Sequence, residues 1–328
     1  MTIGITVGKF YPLHKGHDYL IRQAKAQVDT LVVIVSYKHE QDISGEIRAN
    51  WIQQMHPDIE VILGIDDIPA NEWELLAKRT FELLDGRQPD IVFTSENYGD
   101  DWATQLGCKH IKIDPARQTI PISGTAIRKN LNKHWDMLTS PVKAYFAKRI
   151  CCIGAESTGS TTLSQHLAEH YQTVWIPEYG RWYSQGRRYL PHDNEWGTDE
   201  FVKIAEGQNR WEDDLAWQAN RLVVCDTDAL ATHVWHKRYI GHYSSAVEQI
   251  ADSRHYDLYL VTEPDFKFVQ DGTRDGEHIR MEMHQWFIDE LTRKKRAFIR
   301  VTGSPQNRIA QATQAIDKLL VFPELEII

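Results

Sequence analysis

Short apolar strands alternate with amphipathic helices along this chain, and this alternation limits the folds open to it more than any other feature. Alternation of this kind predicts parallel β-sheets with covering helices. The pattern restarts near residue 148, so we predict two α/β domains, at 1–147 and 148–328. The predicted strands lie at 3–7, 30–36, 59–63, 90–94, 149–153 and 222–228, and the predicted helical segments at 17–24, 46–55, 71–84 and 128–146.

The composition fits an ordinary globular protein and narrows the range of partners. Hydrophobic residues make up 42% of the 328 residues and charged residues 25%. A net charge of -9 argues against a general nucleic-acid binder, whose contact surface is basic. The N-terminus predicts a strand rather than a signal peptide, and no apolar run is long enough to span a bilayer. We therefore expect a cytoplasmic protein with neither nucleic-acid nor membrane partners.

The cysteines and tryptophans add two weaker indications. None of the four cysteines has metal-ligand spacing, and two of them lie in a predicted strand, so buried free thiols in a reducing compartment are expected. The 11 tryptophans leave room for an interface, and with it for a homo-oligomer.

A glycine- and histidine-containing segment, GKFYPLHKGH at 8–17, joins the first predicted strand to the first helix. Glycine lets the backbone approach a phosphate, and a helix N-terminus supplies unpaired N–H groups and a positive dipole end. The imidazoles of His14 and His17 can hydrogen-bond there or carry positive charge. The segment therefore predicts a phosphate-binding loop.

A second motif, ISGTAIR, follows at 122–128. In this order the two motifs resemble the signature of the HxGH nucleotidyltransferase superfamily. Members of that family join a nucleoside triphosphate to a phosphate-bearing acceptor and release pyrophosphate. The resemblance implies a Rossmann-like first domain that works by positioning and charge stabilisation, without a covalent enzyme intermediate.

The resemblance also implies roles for the residues of both motifs. His14 and His17 would hydrogen-bond the triphosphate and the developing charge, and Lys9 would neutralise a substrate phosphate. Arg128 would hold the leaving phosphates through its planar guanidinium group. The remaining residues predicted to bind ATP or substrate in this domain are Gly8, Phe10, Trp51, Ser95, Ser123 and Thr125. Ser123 and Thr125 would offer hydroxyl groups, and a helix N-cap is an equally good use of that sequence.

The segments between the two motifs restrict the identity of the acceptor substrate. TSENYG at 94–99, Asp114-Pro115-x-Arg117 and the ISGT run resemble the nicotinamide-mononucleotide adenylyltransferases of the bifunctional NadR type. In that family an aromatic residue stacks on the nicotinamide ring. Trp51 and Trp102 are candidates for this contact, and packing in the core is the alternative for both.

A second loop, GAESTGST at 154–161, lies between a predicted strand and a predicted helix. It matches the phosphate-loop pattern Gly-x-x-x-x-Gly-Lys-Ser/Thr, except that Ser160 stands where the pattern has lysine. The loop predicts a P-loop kinase-like α/β domain that binds ATP with Mg²⁺, the latter through Thr161. The predicted nucleotide-binding residues are Gly154, Glu156, Ser157, Thr158, Gly159, Ser160, Thr161 and Thr162.

Carboxylates follow two strands of this second domain. Asp226 and Asp228 end a predicted strand, where one could bind Mg²⁺ and the other accept a proton from a substrate hydroxyl. We take Asp226 as the metal ligand beside Thr161, and leave both as catalytic candidates. Glu178 and Arg181 add a carboxylate and a guanidinium group at another strand end.

Further arginines lie in the segment 271–280, which could form a lid carrying Arg274 and Arg280 or a solvated turn. Because Ser160 stands where the pattern has lysine, two outcomes remain open for phosphoryl transfer. An arginine, Arg181, Arg274 or Arg280, supplies the missing charge, or the domain binds nucleotide without turnover.

The order of the second-domain motifs resembles the ribosylnicotinamide kinase half of the NadR family, so the resemblance covers the whole chain. It implies an enzyme of NAD salvage that uses ATP, nicotinamide mononucleotide and nicotinamide riboside and makes NAD. Family members that regulate transcription also carry an N-terminal helix-turn-helix; the chain starts at the first catalytic strand, so no DNA-binding role is expected. The alternatives are a related enzyme with another acceptor or with CTP, and an adenylyltransferase whose second domain is a non-catalytic sensor of nucleotide or NAD.

Overall fold

The computed structural model describes residues 1–69, 71–187, 189, 195–270 and 274–325. The chain divides into two compact units. The first consists of Met1–Val142 and the terminal segment that begins at Phe322, and the second of Lys143–Val321.

The first unit is a five-stranded parallel sheet with helices between the strands, in the order β3-β2-β1-β4-β5. Central strand β1 is flanked on both sides, so its carboxyl end opens at the point where the strand order reverses, which is the usual place for a ligand in such sheets. The elements are β1 Ile3–Gly8, α1 Lys15–Lys25, β2 Thr30–Tyr37, α2 Gly45–Met55, β3 Glu60–Ile65, α3 Trp73–Leu83, β4 Ile91–Thr94, α4 Tyr98–Leu106, β5 Lys109–Lys112 and α5 Gly124–Lys129. Helix α6, Ser140–Phe146, begins in the first unit and ends in the second.

The predicted helical segment at 128–146 is wrong, because two helices and a short 3-10 turn replace it. Helix α5 ends at Lys129, and the Asn130 side-chain oxygen accepts the backbone N–H of Lys133 at 2.8 Å. Asparagine forms such local bonds in competition with the helix. The chain then runs extended at Leu138, which forms a β-bridge with His14. The interruption thus brings this segment against the first loop.

The second unit is also a five-stranded parallel sheet, in the order β10-β9-β6-β8-β7. The last four residues of its central strand β6, at 150–153, are buried and apolar, as expected for a parallel sheet covered on both faces. The elements are β6 Lys148–Ile153, α7 Ser160–His170, β7 Trp175–Ile176, α8 Tyr179–Arg187, α9 Thr198–Ala216, β8 Leu222–Asp226, α10 Ala229–Ile240, α11 Ser245–Asp252, β9 Leu258–Thr262, α12 Arg280–Arg293, β10 Phe298–Val301 and α13 Pro305–Asp317.

The cysteines have the burial expected from the sequence. Cys151, Cys152 and Cys225 are buried free thiols and Cys108 is a partly buried one. Within the described ranges, no helix is long and apolar enough to cross a membrane.

Two candidate nucleotide sites

The first candidate site begins where β1 ends and the loop to α1 starts. His14 is the N-cap of α1, and its Nδ1 accepts the backbone N–H of Gly16 at 3.1 Å and of His17 at 3.3 Å. Because Nδ1 accepts, the proton of the neutral ring lies on Nε2, which makes Nε2–H a donor. His14 lines a cavity of about 280 Å³. The same side chain therefore caps the helix and offers a donor to the cavity.

The two imidazoles of the loop are stacked and neutral. Their ring centroids lie 3.6 Å apart with an interplanar angle of 19°. Burial, with the charges of Arg117 and Arg128, lowers the pKa of His14 to about 3. Burial and the neighbouring His14 ring hold the pKa of His17 well below its usual value. Of the two roles left open by the sequence, the structure favours hydrogen bonding over positive charge.

Arg128 connects the second motif to the first. Its Nη1 donates to the Tyr11 carbonyl at 2.7 Å, 117 residues away along the chain, and its Nη2 donates to Thr125 Oγ1 at 3.0 Å. Ser123 caps α5, and its Oγ accepts the backbone N–H of Ala126 at 3.2 Å. The structure therefore brings both motifs to one cavity. The predicted residues that line it are Lys9, Phe10, His14, His17, Ser95, Ser123, Thr125 and Arg128.

Gly8 and Trp51, which were also assigned to this site, are not among the described lining residues. A Cβ on Gly8 would lie 3.2 Å from the Phe10 ring, so glycine allows close packing there. Trp51 is only 3% exposed. Trp102 is fully buried, and its Nε1 donates to Thr80 Oγ1 at 3.2 Å. The structure favours the packing alternative for both tryptophans.

Arg117 lines the cavity, although the sequence analysis gave it no role. The Asp114 carboxylate accepts the backbone N–H groups of residues 118–120 at 2.8 to 3.3 Å, which fixes the loop that carries Arg117. Arg117 is half-exposed and pairs with Glu96 at 3.1 Å. The Asp-Pro-x-Arg spacing was the available signal, because an aspartate that organises a loop is a common local device.

The second candidate site is the loop between β6 and α7. Ser157 has φ +60° and Gly159, the N-cap of α7, has φ +85°, which wraps the backbone around the loop centre. A Cβ on Gly154 would lie 2.3 Å from Thr262 Oγ1 and 2.4 Å from Thr158 Oγ1, so only glycine fits. The loop borders a cavity of about 200 Å³. The predicted residues that line it are Gly154, Glu156, Ser157, Thr158, Gly159, Ser160, Thr161, Thr162, Glu178, Arg181 and Arg274.

Asp226 lies at the end of β8, against the start of α7. The Thr161 and Ser160 side chains lie close enough to its carboxyl group to lower its pKa, while its Oδ1 is buried without a hydrogen-bond partner among the described residues. Burial and the nearby Glu178 raise the pKa of Asp226, and burial raises the pKa of Glu178. The buried carboxyl of Asp226, the partly buried carboxyl of Glu178 and the Thr161 hydroxyl form an oxygen donor set that suits Mg²⁺.

The opposite wall of this cavity is aromatic, which the sequence analysis did not predict. Trp196, Phe201, Trp235 and Tyr239 line it. The Trp196 ring lies 5.1 Å from Phe201 and 5.5 Å from Tyr239 between centroids. Trp235 and Tyr239 share one face of α10 at i, i+4 spacing, whereas Phe201 lies on α9 and Trp196 precedes that helix. No single local pattern therefore marks the four residues as one surface. The wall suits a flat, partly apolar ring beside the phosphate loop.

Neither Asp226 nor Asp228 is among the described residues that line the cavity, but only Asp226 lies beside the phosphate loop, which corrects the prediction of Asp228 as a catalytic residue. Asp228 is fully buried as the N-cap of α10: Oδ1 accepts the backbone N–H of Ala231 at 2.8 Å, and Oδ2 accepts the Tyr259 hydroxyl at 2.7 Å. Thr227, with φ +67°, turns the chain between Asp226 and Asp228. The two aspartates therefore face different surroundings, and Asp228 has a structural role.

Replacing Asp228 by alanine is expected to lower the free energy of unfolding of the second unit by about 2–4 kcal/mol. The change removes a helix cap, which contributes about 1 kcal/mol, and leaves the buried Tyr259 hydroxyl unpaired, which costs about 1–3 kcal/mol. Chemical denaturation measures the effect. Ser304→Ala removes the exposed N-cap of α13 and is the matched control, with an expected loss of about 1 kcal/mol. Unchanged stability in Asp228→Ala would contradict the structural role.

Arg280 is likewise placed differently from the prediction of a lid arginine. Its Nε donates to the Glu156 carbonyl at 3.1 Å, its Nη1 to the Phe266 carbonyl at 2.7 Å and its Nη2 to the Ser157 carbonyl at 2.7 Å. It therefore contacts the back of the phosphate loop and does not line the described cavity. Of the predicted lid, 271–273 lie outside the described residues, and Arg274 lines the cavity.

The folds and the two sites together define a two-domain nucleotide-binding transferase. Residues 5–130 match a cytidylyltransferase-like family model, and residues 149–308 match an AAA domain model. Both matches agree with the folds of the corresponding units.

Comparison with whole proteins identifies the family. The chain is 30% identical over 325 residues to the trifunctional NAD biosynthesis/regulator protein NadR of Escherichia coli (strain K12), covering 92% of this chain and 78% of that protein. It is 30% identical over 318 residues to its counterpart in Salmonella typhimurium (strain LT2), covering 89% of this chain and 76% of that protein. The chain belongs to the NadR family.

Solved structures show the same fold over the full length. A NadR protein in complex with NR superimposes with a TM-score of 0.74 at 24% identity, covering 100% of this chain and 98% of that one. A NadR protein in complex with NAD and AMP-PNP gives a TM-score of 0.72 at 24% identity, covering 99% and 98%. The predicted family, the predicted fold class and the prediction of an NAD biosynthesis enzyme with nucleotidyltransferase and kinase-like domains are confirmed.

Proposed function

We propose that the first unit transfers AMP from ATP to nicotinamide mononucleotide, giving NAD and pyrophosphate. We propose further that the second unit phosphorylates nicotinamide riboside on its 5′-hydroxyl with ATP and Mg²⁺. The observation that carries the proposal is the joining of His14, His17 and Arg128 around one cavity, with a second phosphate loop in the same chain. The ligands named for the NadR structures, NR, NAD and AMP-PNP, support this choice of substrates.

In the first site the acceptor phosphate would attack the α-phosphate of ATP, and the bond to pyrophosphate would break. The neutral His14 donates from Nε2 to a phosphate oxygen, where negative charge grows in the transition state. Arg128 and Arg117 bring two permanent positive charges to the same cavity. Lys9, now paired with Asp66 at 3.1 Å, would exchange that carboxylate for a substrate phosphate. The chain thus contributes donors and charges, and no nucleophile.

In the second site the riboside hydroxyl would attack the γ-phosphate, and its proton would pass to a carboxylate. Asp226, beside Thr161, is placed to hold Mg²⁺, which when bound neutralises charge on the phosphates. Glu178 lies beside it with a pKa raised by burial, which makes it a stronger proton acceptor than an ordinary glutamate. The aromatic wall would receive the nicotinamide ring. Arg181 and Arg274 line the same cavity and complete the proposed binding residues.

The proposed domain limits are 1–147 and 148–328, and a cytoplasmic location is proposed from the reduced cysteines.

The functional proposal is tested by two assays on the purified full-length chain. One measures NAD from nicotinamide mononucleotide and ATP, and the other measures nicotinamide mononucleotide from nicotinamide riboside and ATP. Absence of NAD would refute the adenylyltransferase. Tight binding of riboside and ATP without phosphoryl transfer would favour the sensor alternative.

Metal binding at the second site is expected to tighten as the pH rises from 6 to 8. Burial raises the pKa values of Asp226 and Glu178, and repulsion from Glu178 raises that of Asp226 further, so a proton must leave before the metal binds. Each displaced proton makes the affinity rise by up to about tenfold per pH unit below the raised pKa, and the slope vanishes above it. Titration of Mn²⁺ in the presence of ADP measures the slope.

Two variants control this pH experiment. Asp226→Asn should lose most of the slope, whereas Asp214→Asn, at an exposed position on α9, should keep it. An unchanged slope in Asp226→Asn would show that Asp226 does not hold the metal.

A further inference from the structure

Two buried arginines contact the back of the second phosphate loop. Arg280 donates to the carbonyls of Glu156 at 3.1 Å and Ser157 at 2.7 Å. Arg308 donates to the carbonyl of the next residue, Thr158, at 2.5 Å. Three consecutive carbonyls of the loop are therefore bound from outside.

This arrangement orients the loop for anions. Within one peptide bond, the carbonyl group and the N–H group of the following residue point in opposite directions. When the carbonyl groups are held outward, the N–H groups of the same peptide bonds therefore face the loop centre. Arg280 and Arg308 are 8% and 4% exposed, so the contacts are shielded from water. The orientation of the loop is thus fixed by the protein before any nucleotide arrives.

The two arginines differ in the charge that they bring. Arg308 is paired with Asp265, so its charge is largely neutralised. Arg280 uses Nε, Nη1 and Nη2 for uncharged carbonyl groups. Burial and the neighbouring Arg308 lower the pKa of Arg280, whereas the nearby carboxylates of Asp265 and Glu277 raise it. No carboxylate among the described residues is bonded to the Arg280 guanidinium group, so its positive charge lies directly behind the loop.

We propose that Arg280 is a positioning residue that also replaces, from behind the loop, the charge absent at Ser160. Ordinary phosphate loops place a lysine in contact with the β- and γ-phosphates. Here the polarised peptide groups of the loop lie between the guanidinium group and the phosphates, in surroundings where a charge is poorly screened. The inference rests on the proposed binding of ATP at this loop, but not on phosphoryl transfer to a riboside.

The test compares Arg280→Gln, which keeps a hydrogen-bonding amide but loses the charge, with Arg280→Lys, which keeps the charge. ADP and AMP binding to the full-length chain is measured by calorimetry. Because the first unit also binds nucleotide in the proposed function, the component lost in Gly154→Ala is the one assigned to the second loop. Each variant is then combined with Ser160→Lys.

Arg280→Gln is expected to weaken ADP binding by about tenfold or more and AMP binding by less, because the effect scales with phosphate charge. Arg280→Lys should lose less than about threefold, and Ser160→Lys should restore most of the affinity lost in Arg280→Gln. The proposal would be overturned if Arg280→Gln and Arg280→Lys lost the same affinity, if the loss were the same for AMP and ADP, and if Ser160→Lys restored none of it. Arg280 would then only brace the loop. A Gly154-dependent ADP signal without nicotinamide mononucleotide formation would refute the proposed kinase while leaving this inference testable.

Discussion

Replacing His14 by asparagine is expected to slow adenylyl transfer by about 10²- to 10³-fold while the first unit stays folded. Asparagine is itself a favourable N-cap, so its side-chain oxygen can still accept the N–H groups of Gly16 and His17. It is too short to present a donor where Nε2 of His14 lies. The substitution therefore separates the cap from the phosphate contact. Steady-state formation of NAD from nicotinamide mononucleotide and ATP measures the rate.

Two further variants serve as a comparison and a control for His14→Asn. His14→Ala removes the cap as well and should cost about 1 kcal/mol of stability in addition to the rate. His39→Asn changes an exposed histidine of the same unit and should leave the rate unchanged. If His14→Asn retained the full rate, His14 would act only as the cap of α1.

Much of the fold follows from local sequence. Parallel strands covered on both faces are continuous apolar runs, and β2 and β8 show this in the sequence. The second phosphate loop is also recognisable from its glycines, because a close contact requires glycine at Gly154 and a positive φ favours it at Gly159. These constraints act within a few residues, so spacing along the chain reveals them.

The roles of single polar residues could not be predicted in the same way. Asp226 and Asp228 look equivalent in the sequence, yet one lies against Thr161 and the other against Tyr259. The difference depends on a turn at Thr227 and on a tyrosine 31 residues further along the chain. Only the packing of the second sheet decides which carboxylate lies beside the phosphate loop.

Arginines that brace loops are the clearest class that sequence reasoning missed or misplaced. In the first unit the fully buried Arg48 donates to the Lys9 carbonyl at 2.6 Å, as Arg128 does to that of Tyr11. In the second unit Arg308 reaches Thr158 across 150 residues. Both phosphate loops thus have their carbonyls held by guanidinium groups, of which Arg48 and Arg308 lie outside every motif found in the sequence. A guanidinium group suits this task because its five donors lie in a fixed plane.

Replacing Gly154 by alanine is expected to abolish nucleotide binding at the second loop, with a loss of riboside phosphorylation of at least about 10²-fold. The new Cβ would overlap the hydroxyl groups of Thr158 and Thr262, which are buried and bonded to each other at 2.7 Å. Neither threonine can move without breaking that bond or the contact of Thr158 with the Ala155 carbonyl. Relief must therefore come from the loop backbone itself.

Gly186→Ala is the matched control for Gly154→Ala, because a Cβ at that position in α8 meets nothing within 4 Å. Alanine there should raise stability by up to about 1 kcal/mol, as in other helix interiors, and leave both reactions unchanged. The NAD-forming reaction serves as an internal control for Gly154→Ala, since its site belongs to the other unit. If Gly154→Ala kept full phosphoryl transfer, the loop would tolerate a displaced backbone, and the rigid placement of its N–H groups would not be what binds the phosphates.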